Sequence, residues 1–108
     1  FTLNVPLPAG SGDAEFQKAF AEKLVPAARE FRPDFVLISA GFDAHKDHLL
    51  GRMQVTTEGF TQLTSIVKQI AEEHCRGRLV SVLEGGYDLD GLAASVEAHV
   101  RTLSSAWN

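Results

Sequence analysis

Two short apolar runs constrain this chain more than any other feature. Phe35-Val36-Leu37-Ile38-Ser39 and Leu79-Val80-Ser81-Val82-Leu83 are each about one strand long and partly β-branched. Such near-continuous apolar runs suit strands covered on both faces of a parallel sheet. Between them Phe60, Leu63, Val67, Ile70 and Ala71 recur at helical spacing. Strand, helix and strand in that order predict a parallel βαβ unit with a right-handed crossover. Both strands then end on one edge of the sheet, where ligands sit in open α/β folds. The expected class is α/β, a parallel sheet sandwiched by helices.

The remaining elements are set by punctuation. Phe1, Leu3 and Val5 alternate and suggest a short first strand. Pro6-Leu7-Pro8-Ala9-Gly10-Ser11-Gly12-Asp13 reads as a loop, with Gly12 or Asp13 able to cap a helix at its end. That helix carries Phe16, Phe20, Leu24, Ala28 and Phe31. Pro26 lies inside it and removes a backbone donor, which predicts a bend over residues 22–26. Residues 40–55 read as a long loop. Thr56 or Thr57 can cap the middle helix, and Gly77 offers a left-handed stop after Arg76. The last helix is expected over residues 90–103, with Leu92, Ala93, Val96, Val100 and Leu103 inward.

Bulk properties exclude several functions. The 108 residues suffice for one core and not for two domains. A net charge of −4 with no basic cluster argues against a phosphate-reading surface, so no direct nucleic-acid partner is expected. No apolar run approaches a membrane span. One cysteine, Cys75, leaves no internal disulfide and favours a reducing compartment, the cytoplasm or else the nucleus. The G-x-S-x-G, G-x-G-x-x-G and G-x-x-x-x-G-K patterns do not occur, which removes support for serine hydrolases and nucleotide binding.

Chemistry concentrates at the two strand exits. Asp43 lies four residues beyond Ser39, and Tyr87 lies four residues beyond Leu83. Neighbouring strands run about 5 Å apart, so both would face one pocket mouth. The carboxylate could hold a metal or take a proton, and the phenol could donate to an oxygen that gains charge. An ordinary alternative is open: Gly85 and Gly86 serve a tight turn and Tyr87 covers the sheet end. Asp43-Ala44-His45 could also aim two zinc ligands at one ion. Against that, His48 reads as a hydrated loop histidine, and for His45 the same reading stands open beside the ligand one. His74 and His99 have no partner at metal spacing, and Cys75 reads as a buried thiol.

Asn4-Val5-Pro6-Leu7-Pro8, Gly10-Ser11-Gly12-Asp13, Phe31-Arg32-Pro33-Asp34, Ser39-Ala40-Gly41-Phe42-Asp43-Ala44-His45, the stretch 56–60 and Leu83-Glu84-Gly85-Gly86-Tyr87 occur here in order. Together they resemble the histone deacetylase, acetylpolyamine amidohydrolase and acetoin-utilisation superfamily, its class II-like and bacterial members above all. The resemblance implies an arginase-like fold, a catalytic zinc and hydrolysis of the acetyl amide of N-acetyl-lysine or acetylated polyamines. By position it makes Asp43 a zinc ligand and Tyr87 the donor to the acetyl oxygen. Gly85, Gly86 and Leu50 fall beside the substrate pocket, and His45 matches no ligand. Leu49 stands where relatives often carry proline.

The other zinc ligands and the general-base histidine fall upstream in that family. Residues 1–108 are therefore expected to be the C-terminal part of a single catalytic domain, inactive alone. An incomplete sheet should expose apolar surface and favour self-association. An arginase-type binuclear manganese hydrolase would want several carboxylates and a histidine near the strand ends, where this chain shows one aspartate. A catalytically silent interaction domain is the third reading.

Overall fold

A computed structural model describes residues 2–47, 52–86 and 88–105. The helical entry comes first. Helix α1 spans Asp13–Ala19, and Gly12 at its N-cap donates its N–H to the Glu15 carboxylate at 2.9 Å. A π-helical turn, Phe20–Leu24, links α1 to α2, Val25–Phe31. In it the Val25 N–H bonds back to the Phe20 carbonyl. The expected bend takes this form: Pro26 has no N–H for the preceding turn, and one widened turn absorbs the mismatch. Arg32 then leaves the helix in a left-handed conformation.

Strands β1, Val36–Gly41, and β2, Leu79–Gly85, pair in parallel, with Val36 opposite Leu79 and Ala40 opposite Leu83. The register slips between Ala40 and Gly41, so that Gly41 faces Gly85. Glu84 is the extra residue of this bulge. Helix α3, Thr57–Cys75, makes the crossover, and α4, Leu89–Ser104, comes after β2. Thr56 caps α3 by accepting from Gly59 N–H at 2.9 Å, and Asp88 caps α4 by accepting from Gly91 N–H at 2.8 Å.

The core gathers Ala40, Phe42, Val55, Phe60 and Leu63, with Phe16, Phe20, Ile38, Leu92 and Val96 packed around it. Phe42 meets Phe60 edge-on at 5.0 Å between centroids.

Four expectations change. Residues 2–8 form neither strand nor helix, so the alternation of Leu3 and Val5 finds no sheet to join. The strands run further than the apolar runs, because backbone pairing resumes at Gly41 and Gly85 after the Glu84 bulge. Among the described residues the sheet is covered on one face: Ile38 and Ala40 point into the core, whereas Leu37 is 75% exposed and Val82 54% exposed. The most buried stripe of α4 is Gly91, Ser95 and His99 rather than its larger apolar residues. Small side chains let α4 approach α3, and Val96, Val100 and Leu103 turn toward a groove of about 320 Å³ beside Leu79 and Leu83.

Candidate functional site

Asp43 is positioned by the residue before it and by the turn around it. The Phe42 ring is buried in the core, and its N–H donates to the Gly85 carbonyl at 3.0 Å. This bond carries the parallel pairing one step past β1. The His45 N–H then returns to the Phe42 carbonyl at 3.1 Å and closes a tight turn with Asp43 and Ala44 at its corners.

The Asp43 carboxylate consequently lies over the ends of both strands. A Cβ built on Gly85 would stand 2.5 Å from Asp43 Oδ1, and one on Gly41 would stand 3.3 Å away. The carboxylate occupies space that only glycine at position 85 leaves open. Gly86, at φ +123°, adopts a backbone that side-chain-bearing residues rarely take. A Cβ there would also press on Leu92 and Phe42. Of the expected site residues, the structure thus brings together Asp43, Gly85 and Gly86. Tyr87 and Leu50 lie outside the described residues, as does His48.

His45 is not a hydrated loop residue. It is 4% exposed, and its ring lies parallel to Phe60 with centroids 6.3 Å apart. The Asp47 N–H donates to Nδ1 at 3.1 Å, which leaves the ring proton on Nε2, bonded to Thr57 Oγ1 at 3.1 Å. The Asp47 carboxylate stands 3.8 Å from Nδ1, outside hydrogen-bonding range, so the backbone N–H is the partner of that nitrogen.

The other titratable groups support elements rather than the strand exits. His99 joins three of them: Nδ1 meets Thr64 Oγ1 and Nε2 meets Ser81 Oγ, each at 2.8 Å. Burial holds its pKa below the ordinary value of 6.5. Lys68 Nζ donates to the Thr102 and Ser105 carbonyls and satisfies the end of α4. The buried Cys75 thiol donates to Pro33 O.

Sequence reasoning missed one clamp. Asp13 accepts from both the N–H and the hydroxyl of Thr56, tying the first loop to the start of α3. Its partner lies a long way along the chain, beyond any local signal. The Asp88 cap was within reach, since Asp three residues ahead of Gly91 at a helix start is an ordinary capping arrangement.

A carboxylate oxygen is a normal zinc donor, and Asp43 presents one at the sheet edge where a ligand would sit. Among the described residues, no three His, Cys, Asp or Glu side chains cluster as a metal site. Asp43 could supply one ligand to a zinc ion, and the described residues do not gather a full set around it.

The model of the histone deacetylase domain matches residues 1–103. The chain belongs to the histone deacetylase family. It is 47% identical over 102 residues to histone deacetylase 14, chloroplastic, of Arabidopsis thaliana, covering 94% of this chain and 24% of that protein. It is 45% identical over 104 residues to polyamine deacetylase HDAC10 of Mus musculus, covering 95% of this chain and 15% of that one. The crystal structure of the HDA15 HD domain superposes with a TM-score of 0.81 at 38% identity, covering 89% of this chain and 26% of that chain. The deacetylase fold, a parallel sheet with helices packed on it, is thereby established for the part present here. The chain spans about a quarter or less of these relatives.

Proposed function

We propose that the protein is a zinc-dependent deacetylase that hydrolyses the acetyl amide of N-acetyl-lysine or of acetylated polyamines. The observation that carries this is the Asp43 carboxylate, laid over the ends of two parallel strands against Gly85. The relatives are named as histone deacetylases and a polyamine deacetylase, which supports the reaction and both substrate classes. These relatives do not favour the binuclear manganese or silent-domain readings.

When bound, zinc would polarise the acetyl carbonyl and lower the pKa of a water molecule. Asp43 contributes one anionic ligand, fixed by the turn that Phe42 and His45 close. Gly85 leaves room for that carboxylate and Gly86 for Phe42 and Leu92 beside it; the resemblance places both glycines next to the acetyl pocket. The resemblance assigns Tyr87 the remaining task, donating its phenolic hydrogen to the acetyl oxygen as negative charge develops there. An oxyanion donor of this kind contributes about 3–4 kcal/mol to the transition state.

The test is deacetylation by the full-length protein of an acetyl-lysine peptide and an acetylated polyamine, with and without a chelator. Turnover of at least one substrate that stops with chelator and returns with zinc is the expected outcome. Chelator-resistant turnover, or none on either substrate, sinks the reading. The 108 residues alone should bind zinc weakly in titration calorimetry and turn over neither substrate. Tight one-to-one binding would return His45 to candidacy as a ligand.

A further inference from the structure

We infer that His45 is a positioning residue: its buried ring holds the Asp43 turn in the geometry that binds metal. The inference rests on the reading of Asp43 as a zinc ligand and adds what keeps that ligand in place.

Backbone hydrogen bonds hold the turn on two sides. It lies just past the last strand pair, and Asp43 and Ala44 are its corners. Its backbone is held at one side by Phe42 N–H to Gly85 O. At the other side Val55 N–H reaches Ala44 O at 3.0 Å, and Lys46 N–H reaches Val55 O at 2.8 Å. These are bonds between exit loops, not between strands of a wide sheet. The His45 ring adds a connection to both neighbouring helices.

Three contacts make that connection. Nε2 donates to Thr57 Oγ1, in the first turn of α3. Nδ1 accepts from Asp47 N–H, so the ring also folds its own loop back upon itself. The ring face lies along Phe60, whose own edge contact with Phe42 returns to the residue before Asp43. The first turn of α4 closes the last side. A Cβ on Gly91 would stand 2.9 Å from His45 Nδ1 and 2.8 Å from Asp88 Oδ2, so α4 seats against the ring only because residue 91 is glycine. The same histidine thus fixes the Asp43 turn relative to α3 and to the start of α4. Both ring nitrogens are engaged in this task, which accounts for the presence of a histidine two residues after a metal ligand without making it one.

Outer residues that orient a metal ligand typically change affinity by about 10–100-fold when removed. The test measures zinc affinity of the full-length protein by chelator competition, and thermal stability of the metal-free form, in four variants. His45→Phe keeps the ring on Phe60 and removes both hydrogen bonds. Thr57→Val removes the hydroxyl partner at nearly constant shape, and Thr57→Ser restores it. Asp43→Ala reports on the ligand itself.

Zinc affinity about tenfold weaker in His45→Phe and Thr57→Val is the expected result. Affinity should recover in Thr57→Ser, and KM at saturating zinc should stay unchanged. A lower melting temperature of the metal-free form with wild-type zinc affinity would reduce His45 to a packing residue and overturn the inference. Should His45→Phe fail to fold, the Thr57 pair decides in the same way. Loss of zinc in Asp43→Ala but not in the His45 and Thr57 variants sinks this inference alone. Wild-type zinc affinity in Asp43→Ala sinks the ligand assignment and this inference with it.

Discussion

At the scale of single residues, the site depends on an absence of atoms. Gly85→Ala would place a methyl group 2.5 Å from Asp43 Oδ1, and either the carboxylate or the end of β2 must move. A displacement near 1 Å at a reacting centre costs about 10²-fold in rate. Gly85→Ala should therefore lower kcat/KM of the full-length enzyme by about that factor, with zinc content measured beside it to separate lost metal from misplaced metal. Tyr87→Phe should lower kcat by about 10²–10³ while leaving zinc content at the wild-type level. Activity within a few-fold of wild type would remove the oxyanion role. Asp43 was legible in the sequence as a residue just past a strand end, and the family pattern supplied its expected role. The burial of His45 was not legible. A histidine in a polar loop gives no sign that Phe60 and Gly91 will close over it, because those contacts cross three elements.

At the scale of elements, the helices are fastened by side chains that reach far along the chain. Asp13 accepts two hydrogen bonds from Thr56, the residue that caps α3. Asp13→Ala should destabilise the fold by about 2 kcal/mol, the scale of hydrogen bonds to a charged group, read from urea unfolding. His99 gives a pH dependence of known sign. Its folded pKa lies below 6.5 because burial penalises the imidazolium, while the unfolded chain takes the proton more readily. Its contribution is complete above about pH 6.5 and declines as pH falls from there toward the folded value. Wild type should lose stability between about pH 7.5 and pH 5.5, and His99→Gln should lose less over that interval. The order of helices and strands was legible in the hydrophobic periodicity, together with the bend at Pro26 and the Thr56 cap. The buried stripe of α4 was not. Gly91, Ser95 and His99 sit on the packed face for reasons of size and hydrogen bonding, and a hydrophobicity pattern looks past both.

At the scale of the whole molecule, one sheet face stands uncovered among the described residues. Leu37, Val80 and Val82 are exposed there, in runs whose composition predicted burial on both sides. The 108 residues alone should self-associate, with sedimentation that depends on concentration. Leu37→Lys with Val82→Lys should disperse them without lowering the melting temperature. An unchanged monomer in both proteins would show that the open face is inert. The pairing of β1 with β2 also has a consequence in time. Among the described residues, Val36 meets its partner Leu79 only after α3 has carried the chain back. On a translating ribosome, Asp43 emerges well before the glycine it will rest against. Under the proposed zinc reading, metal would then arrive late and seal a finished strand pair rather than recruit its strands.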